Sequence, residues 1–496
     1  MKIAIITILA GLFIMSCTQT QSGKVVKLIS ENDPTISVRL LFHVGSQDDP
    51  AGKEGLASIT AEMLTDASTL KNNYDQILQK LYPMAAGYGA QVDKEVTVIT
   101  GRVHKDNWDK YYQLLKEAVL EPAFQEEDFT RIKNQTLNYL QNTLRYSSDE
   151  ELGKQVLNQF IFKGTAYGHP EAGLVESVKK LTVDDVKAFY KKYFTRDNLT
   201  IGLGGAITDQ LTAAVKKDLD ALPQSLDIQH PEIKPQVIDG LQVELVEKKT
   251  GSTAISFGFP IDLQRSDADF MAMWLANSWL GEHRNSSSHL YQVIREIRGL
   301  NYGDYSYIEA FPNGHVRQFP PPNIGRHHQI FQIWIRPVQN HARLFALRAA
   351  IRELQKFVDN GLSEKEFELT QKFLSKYCLH FAPATMGRLG YRLDDYFYGL
   401  NGNFLDMFPD KINALTRDEV NAAIKKHLQY KNMKIAMVTQ DAESLKKALV
   451  ENQPSPLKYS NPKPQAVLDE DKEIEAYPLK VKAENVKIID IKDVFL

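Results

Sequence analysis

One stretch of this chain occurs twice. Residues 181–203 read LTVDDVKAFYKKYFTRDNLTIGL and residues 415–437 read LTRDEVNAAIKKHLQYKNMKIAM, and they align without a gap. Leu181 pairs with Leu415, Thr182 with Thr416, Asp184 with Asp418, Val186 with Val420, Asn198 with Asn432 and Ile201 with Ile435. A repeat at this separation asks for two related domains of ordinary size. Each copy has a local physical reading. Thr182 with Asp185, and Thr416 with Glu419, have capping-box spacing at a helix start. The helix ends in a turn at Asn198 or Asn432. Leu199–Leu203 and Met433–Met437 then alternate apolar with polar or small residues, as a half-buried strand does.

The rest of the chain divides around this repeat. The expected organisation is a signal peptide at 1–16, a tether at 17–23, a first domain at 24–225, a linker at 226–240, a second domain at 241–455 and a tail at 456–496. The linker reading rests on Pro223, Pro231 and Pro235 among polar residues. The tail is Pro- and charge-rich, and Val486-Lys-Ile-Ile-Asp-Ile-Lys could add a last strand. In the first half, strands are expected near Ser37–Val44 and Val92–Val103. Helices are expected near Gly55–Leu64, Trp108–Leu120 and Glu126–Leu144. Strands of alternating character mixed with helices give an α+β class with mainly antiparallel sheets.

Composition narrows the function. Apolar residues make up 43% and charged residues 24%, as in ordinary globular chains. The net charge is −3 and no block of like charge stands out, so nothing points to nucleic acid. At the start, Lys2 precedes the apolar run Ile3–Met15, which is short for a membrane span but suits a signal-peptide core. Ile14-Met15-Ser16-Cys17 resembles a bacterial lipoprotein signal, with Cys17 as the lipidated residue. The implied location is the bacterial cell envelope, periplasmic or at the cell surface, anchored to the bilayer. Cys17 and Cys378 are the only cysteines. With Cys17 lipidated, Cys378 reads as a lone buried structural thiol.

Phe42-His-Val-Gly-Ser46 followed by Glu54-Gly-Leu-Ala-Ser-Ile-Thr-Ala-Glu-Met-Leu64 resembles the start of the pitrilysin/insulinase metallopeptidase family. In active members Gly-Leu-Ala precedes His-x-x-Glu-His on a helix. The histidines bind zinc and the glutamate is the general base. The resemblance carries over at Gly55-Leu56-Ala57 and Met63-Leu64. It fails at the working positions, which are Ser58, Ala61 and Glu62. A further carboxylate ligand should fall near Asn138 or Tyr139, and neither is one. Ser58 and Glu62 still share a helical face at i and i+4, but a hydroxyl and one carboxylate replace two imidazoles poorly. Ala61 cannot take a proton from water. His43 is the one nearby histidine that could join Glu62 in an unorthodox site.

The second half keeps more. His289-Leu-Tyr-Gln-Val-Ile-Arg295-Glu-Ile-Arg298-Gly-Leu-Asn-Tyr302 resembles the family segment that carries an arginine and a tyrosine seven residues apart, both directed at the bound peptide. Arg295 and Tyr302 take those positions. The resemblance implies two domains of the mitochondrial-processing-peptidase-like fold forming a half-shell. It further implies a non-catalytic subunit with no cofactor of its own, acting on a peptide beside a zinc-bearing homologous subunit. Two other readings stand: a peptide-binding or scaffolding lipoprotein without catalysis, and a free-standing metallopeptidase with an unrecognised metal site.

Overall fold

The computed structural model describes residues 24–224, 228–314 and 316–496. The signal segment, the tether and Cys17 lie outside the described residues.

Two sheets carry the fold. The first contains β1 (Lys24–Ile29), β2 (Thr35–Phe42), β3 (Gly87–Val92), β4 (Thr97–His104) and β5 (Leu199–Gly205), in the spatial order β1-β5-β2-β4-β3. The second contains β6 (Leu241–Glu247), β7 (Ser252–Ile261), β8 (Asp304–Tyr307), β9 (Gln329–Gln339), β10 (Met433–Thr439) and β11 (Val486–Asp490), in the order β11-β6-β10-β7-β9-β8. Without β11 the two orders coincide strand for strand. β1–β5 and β6–β10 are the matching parallel pairs, and the pairs from β5 to β3 and from β10 to β8 are antiparallel. The duplication read in the sequence is thus a duplication of topology, in a mixed α+β fold.

The helices that position the site are α1 (Leu56–Thr65), α2 (Glu126–Asn138), α3 (Asp149–Ile161), α4 (Val183–Tyr193), α5 (Phe270–Gly281), α6 (Arg343–Asn360), α7 (Thr385–Phe397), α8 (Arg417–His427) and α9 (Gln465–Glu475). Both repeated helices start at reciprocal capping boxes. Thr182 N donates to the Asp185 carboxylate at 3.0 Å, and Thr416 N to that of Glu419 at 2.7 Å. Asp185 N and Glu419 N return the bond to the threonine hydroxyls. Such a cap contributes on the order of 1 kcal/mol.

The repeated strands differ from the sequence expectation. β5 and β10 are buried along their whole length rather than on one face. The reason is a reciprocal exchange between the domains. α7 of the second domain packs across β1, β2 and β5 of the first, and α3 of the first packs across β7, β9 and β10 of the second. The small residues of β5 are where α7 lands: a Cβ built on Gly202 would lie 3.0 Å from Leu393 Cδ1, and one on Gly204 would lie 3.1 Å from Thr385 Cγ2. On β10 the polar position Lys434 is absorbed by α3. Its Nζ donates to Phe160 O at 2.5 Å, near the helix end where free carbonyls face a cation.

Two further expectations shift. The strand expected over Val92–Val103 is two strands, because Asp93-Lys-Glu-Val96 forms a hairpin turn closed by Asp93 N to Val96 O at 2.9 Å. The helix expected to run to Leu144 stops as an α-helix at Asn138 and passes into a π turn over Tyr139–Thr143.

That hairpin turn reaches the other domain. Arg326 grips Asp93 with two bonds, at 2.5 and 3.0 Å, and Glu171 at 3.1 Å, and the fully buried Lys94 pairs with Glu171 at 3.1 Å. The residues after β11 also cross over. Val175 N donates to Phe495 O at 2.9 Å, and Ile491, Val494 and Phe495 join the apolar core of the first domain. The stretch 456–496 is therefore an ordered helix, strand and strap. Cys378 is buried just beyond the helix Glu364–Tyr377.

Candidate functional site

α1 starts at Gly55 with φ 104°, where a Cβ would lie 2.6 Å from Ala172 O, so only glycine fits the close approach. Asp49 caps the helix, accepting from Gly55 N and Ala57 N at 2.7 Å each. Leu56, Ala57, Ile59, Ala61, Met63 and Leu64 are buried, which leaves Ser58 and Glu62 as half-buried neighbours on one face. Burial, with the neighbouring charge of Asp66, pushes the Glu62 carboxyl up to about 7 against the pull of Arg131.

α2 packs beside α1. Tyr139 opens the π turn that follows it and is 40% exposed. Burial and the charges of Glu171 and Glu151 raise its phenol above the ordinary range. Asn138 accepts from Asn142 Nδ2 at 2.7 Å. His43 follows β2 with its ring against Phe397 and its Nε2 3.1 Å from Thr200 Oγ1. That is the sheet face covered by α7, whereas Phe42 and Val44 pack in the core with α1. His43 and Glu62 thus lie on opposite faces of the sheet and do not share a site. Burial lowers His43 to about 4.

Zinc in this position would need three nitrogen, sulfur or carboxylate donors and a base. Ser58, Ala61, Glu62 and Tyr139 do not fit that requirement, since Ala61 offers no atom and two of the others are neutral hydroxyls. Among the described residues no group of three or more His, Cys, Asp or Glu side chains is placed to hold a metal ion.

The Arg295–Tyr302 segment is built differently. Arg295 lies in a π turn over Tyr291–Glu296, its guanidinium 5.3 Å from the Tyr291 ring and paired with Glu296. Tyr302 is 78% exposed, so it is neither a core nor a strand residue. Between them the backbone is pinned twice. Arg298 is fully buried and donates to Asp471 at 2.8 Å, to Glu470 at 2.8 Å and to Val293 O at 2.9 Å. Asn301 Nδ2 donates to Asp304 Oδ1 at 2.7 Å and to Arg336 O at 3.0 Å. Gly303 completes the bend at φ 153°, where a Cβ would collide with Tyr305 Oη at 2.1 Å.

Between α3 and β9 lies a polar cavity of about 50 Å³, lined by Glu151, Lys154, Asn158, Glu171, Arg326 and Trp334 among others. Lys154 stands 3.5 Å over the Trp334 ring and 2.9 Å from Glu150. None of these residues is singled out by sequence reasoning. Lys154 has local partners one turn away in Glu150 and Glu151, but Trp334 and the Arg326–Glu171 pair meet it only across the two domains, which no local spacing signals.

The described residues form a duplicated α+β fold of two matching sheets, with Ser58, Ala61 and Glu62 on α1 offering no set of zinc ligands. Family models agree on both halves: the insulinase (peptidase family M16) model matches residues 24–170, and the peptidase M16 inactive domain model matches residues 180–374. The chain belongs to the insulinase family, peptidase family M16, with Ser58, Ala61 and Glu62 at the positions of the zinc motif.

It is 25% identical over 458 residues to the non-peptidase homolog YmxG of Helicobacter pylori, spanning 88% of this chain and 99% of that one. It is 22% identical to the mitochondrial-processing peptidase subunit alpha of Caenorhabditis elegans, over 50% of this chain and 51% of that one. The crystal structure of a peptidase M16 inactive domain from Pseudomonas fluorescens superposes with a TM-score of 0.74 at 24% identity, over 85% of this chain and 96% of that one.

Proposed function

We propose that this chain is the non-catalytic subunit of a two-chain chambered peptidase, binding the peptide while a zinc-bearing homologue supplies metal and base. The observation that carries this reading is the contrast between its two sites. α1 keeps its cap and its packing but has lost the groups that would hold zinc or accept a proton. The Arg295–Tyr302 segment is pinned at Arg298 and Asn301, yet holds up a guanidinium and an exposed phenol. Those are the donors that a peptide carbonyl, or the oxyanion formed from it, would use. Similarity to a non-peptidase homolog and to a processing-peptidase subunit supports a role that depends on a partner.

A peptide also has a place to lie. Among the described residues β3 pairs only with β4; it packs beside α1 and has open space beyond Gly87 and Gly89. An extended chain can add to such an edge through main-chain bonds. In this reading Cys17 carries the lipid that holds the subunit at the bacterial envelope. The test is affinity purification of the lipidated protein from its own membranes, with mass spectrometry. A stoichiometric homologue with intact His-x-x-Glu-His is expected. In the reconstituted pair, Arg295→Ala and Tyr302→Phe should each lower kcat by about 10²-fold, in the range found for removing one oxyanion donor. Unchanged turnover would sink the mechanism. Recovery of the protein alone, with a bound peptide, would favour a binding or scaffolding role, the reading that similarity to a non-peptidase homolog also permits. Chelator-sensitive cleavage by the isolated chain would favour a free-standing peptidase.

A further inference from the structure

The C-terminal end of α5 carries an unusual set of buried polar atoms. Asn277 Oδ1, Ser278 Oγ and Glu282 Oε2 are all buried without a hydrogen-bond partner. Glu282 is only 6% exposed. Native interiors leave few polar atoms unpaired, and an unpaired carboxylate is the costliest kind. Burial pushes the Glu282 carboxyl up to about 7, against the opposing pull of the neighbouring Ser278 hydroxyl and His283 N–H.

Two of these residues do not face solid packing. Asn277 and Glu282 line a cavity of about 30 Å³ with Trp274, Tyr307 and Phe311. One water needs about 10–15 Å³ on this measure, so the space takes roughly two heavy atoms. The aromatic wall is fixed. His283 Nδ1 is 2.5 Å from Tyr307 Oη, its Nε2 is 3.0 Å from Arg317 O, and the Tyr307 and Phe311 rings lie 5.0 Å apart. The helix end is held close to β8 because α5 finishes at Gly281, where a Cβ would lie 2.4 Å from Ser306 N.

The chemistry asks for a particular guest. Oδ1 and the carboxylate oxygen only accept, and the serine hydroxyl can accept. A guest that only donates, carries positive charge and tolerates aromatic faces satisfies the two that line the cavity, Asn277 Oδ1 and the Glu282 carboxylate. We propose that this cavity receives a primary alkylammonium group, with the Glu282 carboxylate as counter-ion and Trp274, Tyr307 and Phe311 as walls. An ammonium nitrogen and its first methylene fill the available space. Two sources present this group, a lysine side chain and a peptide amino terminus. The assignment does not depend on the zinc-bearing partner, so it can be tested on this chain alone.

The experiment is titration of the full chain with n-butylammonium, followed by calorimetry and NMR, with 1-butanol as the uncharged control. Saturable binding of n-butylammonium is expected, weakened at least tenfold by Glu282→Gln, with no saturable binding of 1-butanol. Nα-acetyl-lysine methylamide and alanine methylamide then separate the two sources, since each offers one kind of ammonium. Asn277→Asp adds a second acceptor charge and should tighten n-butylammonium. It serves as the reporter should Glu282→Gln fold poorly. Absence of saturable binding to the wild type overturns the proposal. So does affinity that neither Glu282→Gln nor Asn277→Asp changes, or equal binding of 1-butanol.

Discussion

Arg298 donates through Nε to the Asp471 carboxylate at 2.8 Å, and so ties the Arg295–Tyr302 segment to α9, 173 residues further along the chain. Arg298 is fully buried and Asp471 nearly so. Removing one partner leaves the other charged in a poorly solvated place, at a cost of about 3–5 kcal/mol. Arg298→Ala should therefore lower Tm markedly. Asp471→Asn, which keeps the shape and one acceptor, should cost less. Hydrogen exchange should rise most over residues 291–303 and 465–475. Exchange that rises evenly across the chain would contradict this anchoring.

Glu62 gives a pH-dependent prediction. Its folded pKa is about 7, above the unfolded value near 4.5, so the folded state holds the proton more tightly. Its contribution is most favourable below the unfolded pKa and is lost as pH rises through 4.5 towards 7. Glu62→Gln mimics the protonated form. It should raise stability at pH 8 by about 1–3 kcal/mol and change little at pH 4. Thermal melts at both pH values decide it, and an equal gain at each would contradict the burial argument.

The family's zinc motif can be written back onto α1. Ser58→His, Ala61→Glu and Glu62→His restore two imidazoles and a base on α1, and Tyr139→Glu offers a third ligand. The wild-type chain should retain no zinc at this position after dialysis. The fourfold variant should retain about one equivalent, as a three-ligand catalytic site does. If Asn138→Glu succeeds where Tyr139→Glu fails, the π turn over Tyr139–Thr143 has moved the ligand position back by one residue. Elemental analysis of the dialysed proteins reads out both.

The glycines at the exchanged helices should behave oppositely. A Cβ on Gly153 of α3 would meet Ser256 Oγ at an ordinary 3.4 Å. Gly153→Ala should stabilise the chain by about 0.5–1 kcal/mol, because alanine favours the helix. On β5, a Cβ at Gly202 would lie 3.0 Å from Leu393 and 3.2 Å from Arg39 O. Gly202→Val should destabilise by about 1–3 kcal/mol through overpacking. Urea midpoints for the two variants should shift in opposite directions.

What was legible in the sequence was what is local. The capping boxes of α4 and α8, the helix Trp108–Leu120 and the strand at 486–490 depend on residues a few positions apart. The replacement of His-x-x-Glu-His by Ser58, Ala61 and Glu62 is a matter of sequence alone, because a helical motif states its own spacing. What was not legible came from across the chain. Thr200 and Gly202 read as an outward face because nothing near them says that α7 will cover it. Asp93-Lys-Glu read as part of a strand because its partner, Arg326, lies more than 200 residues away. The Glu282 cavity needs α5, β8 and the segment up to Pro320 together, and none of them alone signals it.

The exchange of α3 and α7 also governs how this chain can be made. The first sheet is complete once β5 has been synthesised, but the helix that covers its second face arrives about 190 residues later. At ordinary synthesis rates of about 5–20 residues per second, that is on the order of ten to forty seconds. During that interval Gly202, Gly204 and their neighbours form an open apolar surface on a nascent chain. A holding chaperone, or transport of the chain before it folds, would have to guard that surface, and neither half of the gene could be expressed alone as a well-behaved domain.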